Sequence, residues 1–299
     1  MSIFIAGGSG TIGLPLVRAL AAAGHEVTAM TRTKSKEGDL RALGASVAIA
    51  DALNRDSVIR AVAAARATHV IHQLTALPKA GAARSSDLDA TNRLRIDGTR
   101  HLLDAAIAAG ARRFVAGSFA MLAPRGEAPA APGNAAADAI RSMETQVLDA
   151  NAKRAIEGVI LRYGLFYGAD VPSTVSMIES VRRRRLPIVR GDAGALPVIH
   201  IDDAVAATMA ALDRGHAGAV YDIVDDRPVS LSEIVSTIAE YTGASAPWRV
   251  PAWVPRLVAP YMARLLSTRL SLSNAKAKAD LGWRPKYPTL REGLRGLTK

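Results

Sequence analysis

The stretch Gly7-Gly8-Ser9-Gly10-Thr11-Ile12-Gly13 decides the fold. It follows an apolar run from Ser2 to Ala6, which predicts a short buried strand. It also opens a helical pattern from Thr11 to Gly24, in which apolar residues recur every three or four positions. A glycine-rich turn between a strand and a helix predicts the first unit of a dinucleotide-binding α/β fold.

Each glycine of this turn has a separate physical task. Gly7 permits the tight turn after the strand, and Gly10 lets the backbone approach a pyrophosphate group closely. Gly13 lets the helix pack against the strand without a side chain between them. The N–H groups of the first helical turn, including those of Thr11 and Ile12, then point at the phosphates. We therefore predict that these five residues bind a dinucleotide.

Strand and helix patterns alternate through the first two thirds of the chain. Further strands are predicted at Glu26–Met30, Ser46–Ala50, Thr68–Leu74, Arg113–Gly117 and Gly158–Arg162. Helices are predicted at about Asn54–Arg66, Asp87–Ala109 and Asn134–Ala150. Apolar strands that alternate with helices indicate a parallel sheet covered on both faces. The predicted fold class is therefore α/β, a doubly wound Rossmann sheet.

The pattern changes after Gly168, which we take as a domain boundary. Residues 1–168 are predicted to form an NAD(P)-binding core, and residues 169–299 mainly a smaller substrate-binding region. Residues 197–224 contain a strand, a helix and a second strand, and they are predicted to return to the core. The pair Asp202-Asp203 is interpreted as the N-cap of that helix, because aspartate is favoured at this position.

The segment Ala246–Pro260 is rich in proline and tryptophan. Four roles are considered for it: a lid, a wall of a substrate pocket, plain packing, and contact with a membrane interface. Arg256 and Arg264 interrupt its apolar surface. For that reason we favour a lid or a pocket wall.

The charge balance favours anionic ligands. The 299 residues include 38 basic and 27 acidic ones, which gives a net charge of +11. The dense cluster Arg182–Arg185 is interpreted as the solvated end of a helix, where cations face the negative end of the dipole. An anionic substrate contact is the alternative. Because only 4% of the residues are aromatic and no recognisable module is present, we predict no nucleic-acid binding.

Composition excludes several other classes of protein. With 49% hydrophobic and 22% charged residues, the chain is typical of globular proteins. The absence of cysteine excludes a disulfide scaffold, a thiolate metal site and a cysteine nucleophile. The six histidines are scattered, so no metal site is predicted, and no apolar stretch is long enough to span a membrane. Because the first strand begins by Ile3, we expect no cleavable leader and a cytoplasmic protein.

The end of the second strand bears on the choice of cofactor. NAD-binding folds place an acidic residue there to accept hydrogen bonds from the ribose hydroxyls. This strand ends in the sequence Met30-Thr31-Arg32-Thr33-Lys34, which contains no carboxylate. A guanidinium group suits a 2′-phosphate through paired hydrogen bonds. We therefore predict that Arg32 selects NADP over NAD, the alternative being that Arg32 is an exposed loop residue.

With these residues placed, the chain resembles the extended short-chain dehydrogenase/reductase superfamily, in its NAD-dependent epimerase/dehydratase branch. The spacing Gly-x-x-Gly-x-x-Gly from Gly7 to Gly13 is typical of that superfamily. Further segments that resemble it are Ala50–Ala52, Val70–Thr75, Ile96–Thr99, Leu161–Gly168, His200–Ala204 and Leu281–Pro285. The resemblance implies that Asp51 and Ala52 contact the adenine and that Leu74 and Thr75 lie along the adenosine.

The resemblance also implies a catalytic Tyr-x-x-x-Lys pair and a serine, and this chain departs from that pattern. None of its six tyrosines has a lysine four residues later. When the helix is registered on Glu144, the tyrosine position falls on Ala136 and the lysine position on Ile140. The usual serine position falls on Phe119. The chain is therefore interpreted as an atypical member of the branch.

Two classes of function stay open at this point. The first is an NADP-dependent oxidoreductase or epimerase-like enzyme that acts on a small hydroxyl or carbonyl compound. In that enzyme Ser118 and Tyr163, at the ends of two predicted strands, are the predicted catalytic replacements. The second is a non-catalytic NADP(H)-binding sensor or scaffold. The resemblance implies a small-molecule partner and admits a homodimer.

Overall fold

A parallel sheet forms the centre of the fold in this computed structural model, which describes residues 1–77, 84–123, 134–191, 194–251, 253–258, 270 and 272–295. Its strands are β1 (Ser2–Ala6), β2 (Glu26–Thr31), β3 (Ser46–Ile49), β4 (His69–His72), β5 (Arg113–Phe119), β6 (Glu157–Tyr163), β7 (Leu165–Tyr167), β8 (Ile188–Val189), β9 (Val198–His200), β10 (Val220–Ile223) and β11 (Arg249–Val250). Seven of them form one sheet in the order β10-β6-β5-β4-β1-β2-β3. The order reverses between β1 and β4, and a ligand crevice is expected at the carboxyl ends there.

Helices cover both faces of this sheet. They are α1 (Gly13–Ala22), α2 (Glu37–Ala42), α3 (Arg55–Ala65), α4 (Asp89–Arg93), α5 (Thr99–Ala108), α6 (Ala135–Ala152), α7 (Pro172–Arg182), α8 (Ile201–Arg214), α9 (Leu231–Tyr241), α10 (Trp253–Val258), α11 (Ala275–Leu281) and α12 (Leu290–Leu294). Side chains of α1 and α8 pack with Ile5 and Val115 on one face. Side chains of α3, α5 and α6 pack with Phe4 and Phe114 on the other. Both faces are apolar because successive strand residues point to opposite sides. The prediction of a doubly wound α/β fold is confirmed.

The chain beyond Gly168 contributes to the central sheet and also builds around it. Strand β10 pairs with β6 at the edge of the sheet, and α8 packs on the α1 face. Strands β7 and β9 form one small sheet, and β8 and β11 form another. A third apolar cluster joins α7, α9 and α12, with Val181, Ile234 and Leu290 among its buried members. The domain boundary itself stays a prediction.

The prediction of one regular helix from Asp87 to Ala109 is wrong. The chain instead forms a 3-10 turn at Ser85–Leu88, then α4, a π-helical turn at Leu94–Gly98, and α5. A π turn inserts one extra residue and changes which side chains face the sheet. Helical periodicity in the sequence continues across such an insertion, so the pattern alone predicts a single helix.

The predicted cap of α8 is also wrong, because the helix begins before Asp202. His200 is the N-cap, and its Nδ1 accepts a hydrogen bond of 3.2 Å from the backbone N–H of Asp202. The Asp203 side chain is buried. It accepts hydrogen bonds from the backbone N–H groups of Lys286 (2.7 Å) and Tyr287 (2.9 Å). Asp203 therefore anchors the C-terminal segment to α8, although burial raises the pKa of its carboxyl group.

This anchor gives a stability prediction with a control at the neighbouring position. Asp203→Ala leaves two partly buried N–H donors without an acceptor, so we expect the free energy of unfolding to fall by about 1–3 kcal/mol. Asp202→Ala removes an exposed carboxylate and should change it by less than about 0.5 kcal/mol. Urea denaturation measures both. Equal stability of the two variants would show that the C-terminal segment docks independently of Asp203.

Candidate cofactor site

The glycine turn brings the end of β1 and the start of α1 into close contact. Gly7 has a positive φ of 92°, and a Cβ atom there would lie 2.6 Å from the carbonyl oxygen of Gln73. A Cβ atom on Gly13 would lie 2.1 Å from the carbonyl oxygen of Gly7. A Cβ atom on Gly10 would meet only that same oxygen, at 3.2 Å. Gly7 and Gly13 are thus required by the fold, whereas Gly10 leaves open space beside the turn.

This open space has the features of a phosphate site. Helix α1 begins at Gly13 and has no acidic residue in its first turn. Its N-terminus therefore presents N–H donors and the positive end of the dipole to the turn. The Thr11 side chain is exposed, and the Ile12 side chain is buried. A pyrophosphate fits this cradle, because the glycine at position 10 leaves room for one.

A cavity of about 240 Å³ extends from the turn across the carboxyl ends of β1, β2 and β4. Seven of the ten predicted cofactor residues line it: Gly7, Gly10, Arg32, Asp51, Ala52, Leu74 and Thr75. Sequence reasoning missed other residues that line it, among them Ser9, Thr31, Gln73 and Leu94. A larger, open groove of about 910 Å³ beside β2, β3 and α3 contains none of the predicted residues. The 240 Å³ cavity is therefore the candidate site.

Hydrogen bonds made by the two neighbours of Arg32 in the chain fix the loop that carries it at the rim of this cavity. The Oγ1 atom of Thr31 accepts a hydrogen bond of 3.2 Å from the Thr33 backbone N–H and lies 3.0 Å from the Ser9 hydroxyl. The loop after β2 is thereby tied to the glycine turn. Arg32 lies between Thr31 and Thr33 in this loop, and its side chain is exposed to solvent.

His72 fixes the loop that closes the cavity after β4. Its Nδ1 accepts a hydrogen bond of 3.2 Å from the Leu74 backbone N–H, and its Nε2 lies 2.9 Å from the Thr99 hydroxyl. Burial, with a smaller contribution from the positive charge of Arg95, lowers the pKa of His72 to about 4. The ring is therefore neutral at pH 7, accepts at Nδ1 and donates at Nε2. No pattern in the sequence distinguishes this role from that of an ordinary core histidine.

Tyr163 contacts Gln73, which lines the cavity, but its hydroxyl proton points into the core. The Gln73 side-chain amide donates a hydrogen bond of 3.0 Å to the phenol oxygen, which lies 2.7 Å from the Thr208 Oγ1. The Thr208 hydroxyl donates its own proton to the Ala204 carbonyl at 2.7 Å, so it accepts from Tyr163. Burial raises the pKa of Tyr163 to about 12. The phenol is thus a weak acid whose proton is directed toward α8.

Ser118 lies on the opposite face of the sheet, against α6. Its hydroxyl donates a hydrogen bond of 2.6 Å to Glu144, whose carboxylate also accepts two bonds from the Arg162 guanidinium, at 2.9 and 2.6 Å. All three side chains are largely buried. The structure does not bring Ser118 and Tyr163 together. Their role as proton donors stays a prediction.

The register of α6 determines which of its side chains share the buried face that carries Glu144. Residues 136, 140 and 144 recur at four-residue spacing, which places them on one face of the helix. All three are buried. Because Glu144 is held by Ser118 and Arg162, the same face presents the methyl group of Ala136 and the aliphatic side chain of Ile140. No titratable group stands at either position.

This geometry agrees with what comparison with known proteins shows. Residues 3–224 match the profile of the NAD dependent epimerase/dehydratase family. The chain belongs to that family. Members of this family are NAD(P)-dependent oxidoreductases and epimerase-like enzymes. The glycine turn and the cavity described above are consistent with that class of protein.

Individual relatives align along nearly the whole chain. A 3-diazoavenalumate denitrifying reductase from a Streptomyces species is 38% identical over 98% of this chain and 99% of the relative. A 4-hydroxy-2-methyl-3-oxo-4-farnesyl-3,4-dihydroquinoline-1-oxide ketoreductase from Stigmatella aurantiaca is 26% identical over 99% of this chain and 96% of the relative. The structure of a Thermus thermophilus UDP-glucose 4-epimerase in complex with NAD superposes with a TM-score of 0.80, at 24% identity and with 99% and 97% of the two chains covered. That last likeness establishes the fold.

Two other kinds of site are absent from the described part of the chain. No group of three or more histidine, aspartate or glutamate side chains there is arranged to hold a metal ion. None of the helices described combines the length and apolarity needed to cross a bilayer. The cytoplasmic location and the homodimer stay predictions.

The glycine turn yields a prediction that separates binding from folding. Gly10→Asp places a negative charge in the open space of the phosphate cradle, so cofactor binding should be undetectable by calorimetry while the circular dichroism spectrum is unchanged. Gly13→Ala instead forces a methyl group against a backbone oxygen, and should lower stability by about 3 kcal/mol or more. Normal cofactor affinity in Gly10→Asp would place the cofactor elsewhere.

Proposed function

We propose that this protein is an NADP-dependent reductase that transfers hydride to a small electrophilic substrate without a side-chain acid. The observation that carries the proposal is the buried face of α6, where Ala136 and Ile140 precede Glu144 at four-residue intervals. In the family pattern these two positions carry the tyrosine and lysine that deliver a proton. Here they supply only apolar surface.

The residues of the candidate site would divide the work of holding the cofactor. The glycine turn and the start of α1 would bind the pyrophosphate, and Arg32 would bind the 2′-phosphate at the rim. Asp51, Ala52, Leu74 and Thr75 would line the adenosine. Bound NADPH would supply the hydride. The chain's own contribution is to orient the two reactants and to exclude water, and positioning of this kind lowers a barrier substantially without acid catalysis.

The substrate must then be reducible without a proton from the protein. The Streptomyces relative is a denitrifying reductase of a diazo compound, 3-diazoavenalumate. We extend that chemistry to this chain and propose an organic diazonium compound as substrate. The hydride, which bound NADPH would supply in becoming NADP⁺, would form the new C–H bond with its electron pair, while the C–N bond would break and dinitrogen would leave with that bonding pair. Charge and atoms balance with no proton donated or accepted.

A single assay tests this proposal against its rivals. Enzyme and NADPH are mixed with a ¹⁵N-labelled aryl diazonium salt or with a panel of ketones, and NADPH absorbance and ¹⁵N₂ are measured together. We expect one ¹⁵N₂ per NADPH oxidised above the rate without enzyme, and no oxidation with ketones. Gly10→Asp serves as the control for uncatalysed reduction. Ketone reduction by the wild-type enzyme in the absence of diazonium turnover would contradict the proposal.

The second candidate function is a non-catalytic NADP(H) sensor, which the same apolar face of α6 also favours. A sensor needs the cradle and the rim of the cavity but no hydride acceptor. If calorimetry detects NADPH binding but NADPH is oxidised with neither the diazonium salt nor the ketones, the sensor is favoured over the reductase.

Arg32 provides the test of cofactor choice. Charge-assisted hydrogen bonds contribute about 1.5–3 kcal/mol. We therefore expect Arg32→Ala to weaken NADP binding by roughly 10- to 150-fold and to leave NAD binding nearly unchanged. Lys34→Ala, which removes a neighbouring exposed charge, is the control and should have little effect on either. Equal losses for both cofactors in Arg32→Ala would mean that Arg32 supports the loop and does not contact the 2′-phosphate.

Tyr163 provides the test of acid catalysis. Because its proton is donated to Thr208, Tyr163→Phe should change turnover by less than about threefold and lower stability by about 1–2 kcal/mol through the unsatisfied Gln73 amide. A positioned acid would instead be worth about 10²–10⁴-fold in rate. A loss of that size in kcat, with cofactor affinity unchanged, would identify Tyr163 as the proton donor.

A further inference from the structure

An exposed surface of mixed aromatic and basic character lies far along the chain from the glycine turn. We call it the Trp–Arg surface and define it by Arg184, Arg190, Trp248, Arg249, Trp253 and Leu257. Its apolar members are exposed to solvent: Trp248 is 51%, Trp253 61% and Leu257 73% accessible. Its three arginines are exposed as well. Exposed apolar side chains mark a contact site when several of them lie together.

Hydrogen bonds fix the basic half of the Trp–Arg surface. The Trp248 indole N–H donates a bond of 3.0 Å to the Arg184 carbonyl, at the end of α7. The Trp248 carbonyl accepts from Ile188 at 2.8 Å, and Arg190 donates its backbone N–H to Val250 at 2.9 Å. The pairing of β8 with β11 thereby joins the backbone of this segment to residues 188–190, while the indole N–H joins it to the end of α7.

The apolar half follows directly in the chain. Helix α10 begins at Trp253, three residues after β11 ends at Val250. Trp253 and Leu257 are four residues apart, which places them on one face of this helix. That face is exposed, so it has no partner within the described protein. Exposed apolar side chains and exposed arginines thus lie close together in the chain and in the strand that pairs with it.

We infer that the Trp–Arg surface docks on an anionic lipid membrane. Indole rings favour the region between lipid headgroups and acyl chains, because one side of the ring is apolar and the other is polar. Arginine side chains pair with anionic headgroups and are attracted by the surface potential of such membranes. Exposed tryptophan and leucine on a basic surface form the pattern of a peripheral interfacial anchor.

Other occupants fit these observations less well. A second copy of the chain would bring arginines against arginines in a symmetric contact, since a twofold interface pairs a patch with itself. Nucleic acid would satisfy the arginines, but it offers no apolar partner for Leu257. A lid or a pocket wall, which the sequence favours for this segment, stays a prediction, and the Leu257 side chain is 73% exposed.

Vesicle binding tests the inference directly. The full-length protein is sedimented with vesicles of pure phosphatidylcholine or of phosphatidylcholine mixed with phosphatidylglycerol. We expect binding to the anionic vesicles only, with a blue shift of tryptophan emission. Trp283 is buried in the core, so a shift reports on Trp248 and Trp253. Absence of sedimentation with both vesicle types would overturn the inference, as would a preference for duplex DNA over anionic vesicles.

Paired variants separate a built surface from net charge. Arg190→Glu/Arg249→Glu should weaken binding to anionic vesicles at least about 25-fold, and Trp253→Ala/Leu257→Ala at least about 10-fold. Arg18→Glu/Arg60→Glu, at exposed positions on α1 and α3, makes the same change in net charge, and Ile49→Ala removes an exposed apolar side chain on β3. Both controls should bind within about twofold of wild type. Equal losses in the controls would overturn the inference. Thermal unfolding verifies that each variant is folded.

Discussion

The contact between the Gly7 carbonyl and Gly13 is the constraint on which the rest of the structure depends. A methyl group at position 13 would lie 2.1 Å from that oxygen, so only glycine allows α1 to start directly above the end of β1. This approach aims the N-terminus of α1 at the crevice where the strand order reverses. The Gly8 backbone N–H bonds to Met30, which joins the same turn to β2 and sets the position of Arg32. One close packing contact thus determines both the fold of the first unit and the geometry of the cavity.

The two faces of the sheet use their polar groups in different ways, and on both faces Tyr163 and Ser118 are hydrogen-bonded to other side chains. On the α8 face, Gln73, Tyr163 and Thr208 form a chain of neutral hydrogen bonds that ends at a backbone carbonyl. On the α6 face, Glu144 and Arg162 form a buried ion pair that also takes the Ser118 proton. Groups engaged in this way are costly to redirect, because a buried donor or acceptor left unpaired is destabilising.

The sequence predicts local and periodic features of this protein well, but not features that depend on distant residues. The glycine turn and the strands are found because alternation and glycine spacing are properties of adjacent residues. The cap of α8 was missed because a histidine side chain, and not the aspartate after it, accepts the first N–H group. The direction of the Tyr163 proton depends on Thr208, 45 residues later, and on Gln73, 90 residues earlier. No local pattern contains that information.

Under the proposed function, the missing acid places a demand on the substrate. A positioned proton donor is worth about 10²–10⁴-fold in rate, or about 3–5 kcal/mol of barrier. Ala136 and Ile140 supply none of this, so the driving force must come from the acceptor itself. A ketone receives hydride as an alkoxide and needs the proton at once. A diazonium carbon receives hydride as its leaving group departs as neutral dinitrogen, and no charge accumulates that a phenol or an ammonium group would stabilise. An apolar α6 face is then an advantage, since a drier site slows the competing attack of water on the same carbon.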